Sequence, residues 1–218
     1  MLRYSMRALP LPELYAGCLA LVGLFWVLDR WPQQMWQSAG LAAAMAGALA
    51  GYLFDEPAAS IVDTLPRARW WRTVARMVPV ALLTGLWLVA ASLINPQDIG
   101  RADVLRLQGV GAILLAVAVT TLLRRRGEAS PGLIVASTVL LVLTFFALMN
   151  PVEDVLPLFP YGPEDDWAAS RWLWTGVAAV AAVAVAASCV EGFRRSGWES
   201  TEGVMRRANE ICTVLRSR

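Results

Sequence analysis

Asp55-Glu56-Pro57-Ala58-Ala59-Ser60-Ile61-Val62-Asp63-Thr64-Leu65-Pro66-Arg67-Ala68-Arg69-Trp70-Trp71-Arg72-Thr73-Val74-Ala75-Arg76 stands between the second and third long apolar stretches of this chain. An acidic start and a first-turn proline suit a helix N-terminus. Ala58, Ile61, Val62 and Leu65 recur at i, i+3, i+4 and i+7, which predicts one apolar face. Pro66 ends that helix, because proline lacks an N–H and pushes its predecessor out of the α region. Arg67, Arg69, Arg72 and Arg76 then lead into the next apolar stretch. A short, stiff, cationic insert in so apolar a chain reads as a handle for a partner outside the membrane.

The 218 residues are 57% hydrophobic with a mean hydropathy of +0.53, too apolar for an ordinary soluble domain. The apolar residues gather into runs near the roughly 20 residues that cross a bilayer. Six candidate spans emerge: Leu14–Leu28, Met35–Phe54, Met77–Ile94, Leu107–Leu123, Gly132–Met149 and Trp172–Val190. The first and fourth are the shortest, a mismatch that a thinner bilayer or flanking residues accommodate. The expected fold class is an all-α polytopic membrane protein, with a six-span domain over residues 1–195 and an amphipathic tail over 196–218. The first run is followed by Asp29-Arg30-Trp31-Pro32 in place of small residues, so it reads as a span and not as a cleavable signal.

All 19 basic residues are arginine, and histidine is absent. A phosphate-binding P-loop requires a lysine, so ATP hydrolysis by that route belongs to another chain. Ser-His and Cys-His nucleophiles, H-E-x-x-H zinc sites and imidazole-held haem are excluded in the same way. Cys18, Cys189 and Cys212 have no C-x-x-C spacing and read as packing residues. No catalytic residue, bound metal, bound cofactor or nucleic-acid partner is expected of this chain.

Arginine placement predicts orientation. Arg3 and Arg7, the four arginines of the insert, Arg124 to Arg126, Arg194, Arg195 and the tail arginines fall on one side of a six-span alternation. The other side holds Asp29, Asp98, Asp103, Glu153, Asp154, Glu164, Asp165 and Asp166 against a few arginines. The positive-inside rule makes both termini cytoplasmic. Trp31, Trp36, Trp70, Trp71, Trp167, Trp172, Trp174 and Trp198 lie near span ends, where indoles anchor at the headgroups. Trp26 and Trp87 lie deeper, as packing residues or cavity-facing ones.

Gly40, Ala43, Gly47 and Gly51 form a small-xxx-small ladder for close helix packing, within the subunit or across a dimer. Interior polar groups are hydroxyls, including Thr84, Ser137, Thr138, Thr144 and Ser188, with no ionisable group at mid-span to relay protons. The segment from Asn150 to Arg171 interleaves Pro151, Pro157, Pro160 and Pro163 with Val155, Leu156, Leu158, Phe159 and Tyr161. Two arrangements fit that composition: a re-entrant element, or an ordered cap over the bundle. In the tail, Val204, Ala208, Ile211 and Leu215 form an apolar stripe.

The chain thereby resembles the permease subunits of ATP-binding-cassette exporters of the second type. The resemblance rests on six spans, the helix Asp55–Leu65 between spans two and three, the Thr64-Leu65-Pro66-Arg67-Ala68-Arg69-Trp70 turn, the hydrophobic segment before span six, and Phe193-Arg194-Arg195. It departs from that pattern in having no glycine in the insert helix and only a short segment, Met1 to Glu13, before span one. The resemblance implies a cell-membrane location, a second permease, identical or paralogous, and a nucleotide-binding ATPase subunit that carries ATP and Mg. It also implies that Glu56, Ala58, Ile61, Val62, Leu65, Pro66, Arg67 and Arg69 meet the ATPase, with Arg124, Arg125 and Arg126 as a second contact. The last three also read as a topology signal and lipid-headgroup contact.

Two functions follow. The first is a permease for an amphipathic, lipid-like, drug or peptide substrate. The alternative is a non-transporting membrane anchor or assembly subunit. A continuous hydroxyl- and aromatic-lined cleft favours the first, and a sealed bundle the second.

Overall fold

The computed structural model describes residues 11–31, 35–53, 69–93, 102–128, 130–149, 156–160 and 166–190. They form six helices, and no strand occurs among the described residues. The helices are α1 (Leu11–Arg30), α2 (Met35–Tyr52), α3 (Arg69–Leu93), α4 (Ala102–Arg125), α5 (Pro131–Met149) and α6 (Asp166–Val190). Four contain apolar stretches long enough to cross a membrane: Arg76–Leu93, Asp103–Arg125, Pro131–Met149 and Asp166–Val190.

Local chemistry sets several boundaries. Pro12 and Pro131 occupy first turns, where the missing N–H has no intrahelical partner to lose. At the end of α4, Gly127 takes φ +92°, a conformation that costs other residues steric strain. The Gly127 N–H then reaches the Arg124 carbonyl at 3.1 Å and the Glu128 N–H the Leu123 carbonyl at 3.3 Å. These two bonds form a Schellman cap that turns the chain back towards α5.

The fourth helix corrects the expected span. It begins at Ala102 and not near Leu107, so it is not short. Val104 and Leu105 are buried and draw that first turn into the bundle, while Asp103 suits the positive end of the helix dipole. Arg106 therefore lies inside α4.

The odd and even helices run in opposite directions. Gly17 of α1 meets Leu49 of α2, Gly51 of α2 meets Gly132, Val135 and Ala136 of α5, and Gly109 of α4 meets Trp87 of α3. Trp174, early in α6, lies against Gly111, early in α4, so those two helices are parallel. The C-termini of α2, α4 and α6 thus gather at one end, the basic end, and their N-termini at the other.

α2 sits at the centre, packed most extensively on α5 and α4 and also on α1 and α3. Ala42, Ala43, Ala44, Ala46 and Ala50 have no exposed surface. Such short side chains let neighbouring backbones come close, which matters where dispersion and close packing drive helix association. α4 is the other core helix, with 67% of its apolar stretch buried against 11% for α6. Around them α1, α3, α5 and α6 turn Leu19, Leu82, Leu141, Trp172 and Val180 outward. An apolar exterior of this kind is rare on monomeric soluble proteins and suits lipid. The arrangement is that of a membrane protein.

Candidate functional site

The insert that decides the sequence reading lies mostly outside the described residues. Glu56, Ala58, Ile61, Val62, Leu65, Pro66 and Arg67 all fall there, and Arg69 is described only as the first residue of the α3 backbone. The tail, including Val204, Ala208, Ile211 and Leu215, also lies outside. The two stems that carry the insert are described.

Those stems are joined. Arg76, in the third turn of α3, is 8% exposed and its Nη1 donates to the Leu53 carbonyl at 2.8 Å. Leu53 follows α2 directly, and its own N–H bonds the Leu49 carbonyl at 3.0 Å. The last carbonyls of a helix have no intrahelical donors and carry the negative end of its dipole, so a guanidinium is a well-matched cap. Sequence reading assigns Arg76 to topology alone. Its burial was not legible because its partner is a backbone carbonyl, which leaves no residue-specific trace.

A second arginine does the same at the same end. Arg125 Nη2 donates to the Ala187 carbonyl at 3.2 Å, in the last turn of α6. Of the expected second contact group, Arg125 is therefore engaged with α6, Arg124 is half-buried, and Arg126 is exposed.

The opposite end holds a different construction. The Leu158 carbonyl accepts three hydrogen bonds, from Trp174 Nε1 at 2.8 Å, Gln108 Nε2 at 3.2 Å and Ser170 Oγ at 3.3 Å. Pro157, Phe159 and Pro160 beside it are buried. The Phe159 ring lies 5.9 Å from Trp174 and against Gly40. Three donors from α4 and α6 thus satisfy a carbonyl that would otherwise sit unpaired in an apolar surround, at a cost of about 1–3 kcal/mol. Residues 156–160 pack against α2, α4 and α6, one to two turns inside the ends of those helices, and both arrangements expected of the 150–171 segment accommodate that placement.

Trp174 corrects its reading as an interfacial anchor, being 1% exposed and fully engaged. Trp172, two residues earlier, is 79% exposed. Two residues turn a helix by about 200°, so the pair points to opposite sides. Trp87 packs edge-on to Phe25 at 5.0 Å and donates to the Arg106 carbonyl at 3.2 Å. Trp26 faces outward and meets Trp31 edge-on at 5.6 Å, so it faces no interior cavity.

Gly40, Gly47 and Gly51 all face helices of the same chain. An added Cβ would lie 2.5 Å from the Ala147 Cβ at Gly40, 2.9 Å from a Val139 methyl at Gly47 and 3.2 Å from the Ala136 nitrogen at Gly51. Thr84, Ser137 and Ser188 bond carbonyls of their own helices. Cys18 and Cys189 are free thiols. Among the described residues there is no group of His, Cys, Asp and Glu able to hold a metal.

Comparison with models of known protein families, with curated proteins and with solved structures finds no match.

Proposed function

We propose that this chain is the permease subunit of an ATP-driven exporter, with six membrane spans, both termini cytoplasmic, and residues 55–65 as the helix that meets a separate ATPase subunit. The observation that carries the reading is the Arg76 to Leu53 bond. It fastens the two stems of an arginine-rich insert to each other at the end of the bundle where the arginines collect. A force applied to such an insert reaches α2, the central helix, and α3 together. The absence of lysine from the chain assigns nucleotide hydrolysis to the partner.

The described core is packed with alanine, leucine and tryptophan, and its hydroxyls are largely turned to their own helix carbonyls. Packed side chains fill the middle of the described bundle, so the proposed substrate path lies between two permease subunits. The weakly buried α6, with Thr175, Gly176 and Ala179 exposed, offers a smooth wall for it. An amphipathic or lipid-like substrate suits a wall of that composition.

The same closed core favours a second reading, a membrane anchor that holds a cytoplasmic partner without transporting anything. Reconstitution separates the two. The permease reading expects no hydrolysis by the purified chain alone, hydrolysis in complex with a nucleotide-binding subunit, and substrate movement on ATP addition. Hydrolysis without movement of any of a panel of lipids and amphipathic drugs supports the anchor. Cysteine labelling from outside the cell checks the orientation: a probe at Glu164 reacts and one at Arg69 does not.

A further inference from the structure

The sequence gives Arg76 one role, as a positive charge at a membrane edge. The structure gives it a second. The side chain is almost fully buried, and it reaches back 23 residues to the carbonyl that closes α2. Burying a guanidinium is costly unless its hydrogen bonds are met. Three residues further on, Pro79 lies in the interior of α3, where its ring removes the bond to the carbonyl four residues earlier. The ladder of α3 therefore lacks one backbone bond beside Arg76, although the helix runs on without interruption to Leu93. Residues 69–78 form the first arm of α3, bonded to α2 through Arg76.

We propose that Arg76 is a positioning residue that makes the end of α2 and the first arm of α3 one mechanical unit, with Pro79 as its flexible limit. Displacement of the insert then carries the central helix, and the remainder of α3 follows through the proline. The clamp rests on geometry alone, while its role in transport rests on the permease reading. Arg125 and Ala187 form a sister clamp between α4 and α6, so the basic end is divided into two arginine-bonded helix pairs.

Amide hydrogen exchange on the full chain in lipid nanodiscs tests the clamp, read on peptides covering residues 49–53 and 76–80. Arg76→Gln speeds exchange in both peptides, by about tenfold or more, since a charged hydrogen bond is lost. Arg76→Lys replaces the fork with a single ammonium and falls between wild type and Arg76→Gln in both peptides. If Arg76→Gln does not yield folded protein, Arg76→Lys carries the test, with a severalfold rise in both peptides. Unchanged exchange at 49–53, or a rise confined to 76–80, overturns the clamp. In the complex with a co-purified ATPase, ATP alters exchange of both peptides in wild type, and of 76–80 alone in Arg76→Gln. Joint response surviving in Arg76→Gln overturns the mechanical role. A wild type that holds no ATPase defeats the permease reading, while the nucleotide-free exchange still decides the clamp.

Discussion

α2 and α6 are both built largely from alanine, glycine and small aliphatic residues, yet the chain uses them in opposite ways. In α2 the small side chains are covered on every side, by α1, α3, α4 and α5. In α6 only one edge is covered, chiefly at Ser170, Trp174 and Ala181, and an added Cβ at Gly176 would meet nothing within 4 Å. Small residues permit close approach without specifying which backbone approaches. The difference lies in what surrounds them: four helices enclose α2, whereas α6 is held along one edge, by Ser170, Trp174 and Ala181, the Arg125–Ala187 bond and the packed residues 156–160.

The contrast breaks most severely at Trp174. Trp174→Ala removes the largest buried side chain on α6 and one of the three donors to Leu158, and is expected to cost about 3–5 kcal/mol in thermal or denaturant unfolding in detergent. Trp174→Phe keeps most of the packing and loses the donor, so it costs roughly 1 kcal/mol. Equal losses for the two variants would mean that the Leu158 bond dominates over packing.

Gly47→Leu comes next. Its Cβ would press on Val139 at 2.9 Å and on the Ala112 backbone at 3.1 Å, and overpacking of this kind costs about 1–3 kcal/mol. The matching change on α6, Gly176→Leu, is expected to stay within about 0.5 kcal/mol of wild type in the isolated subunit. Under the permease reading it nevertheless weakens association with the second permease, read as a shift from dimer to monomer by mass photometry. Equal destabilisation by both leucines would erase the distinction between the two helices.

The helical, membrane-suited class was legible because apolar runs of spanning length leave few alternatives. The ladder Gly40, Gly47, Gly51 was legible as a packing face, but its partners were not, since α4, α5 and the segment around Phe159 offer no complementary signature in sequence. The true start of α4 was hidden by Asp103 and Arg106, two charges that lower the hydropathy of a turn whose Val104 and Leu105 are buried. Arg76, Arg125, Gln108 and Trp174 were hidden for a different reason. Each donates to a backbone carbonyl, at Leu53, Ala187 or Leu158, and every residue has one of those. Two tryptophans two residues apart likewise look alike in sequence, and only the helix rotation separates Trp172 from Trp174.

We propose that the insert between α2 and α3 is where an ATPase engages the membrane bundle. Purification of the chain from membranes in mild detergent, as wild type and with Ile61→Asp and Leu65→Asp combined, tests it most directly. Two buried apolar side chains contribute about 1.5–3 kcal/mol each when fully covered. The wild type is expected to bring down a nucleotide-binding subunit in equal amount. The double variant is expected to lose that subunit, or to keep its hydrolysis without transport, with an unchanged melting temperature for the bundle. Arg67→Ala is expected to do less, since an exposed ion pair gives only about 0–1 kcal/mol. A double variant that retains its partner and transports at the wild-type rate, or a wild type that brings down no ATPase, would show that this insert is not an ATPase contact.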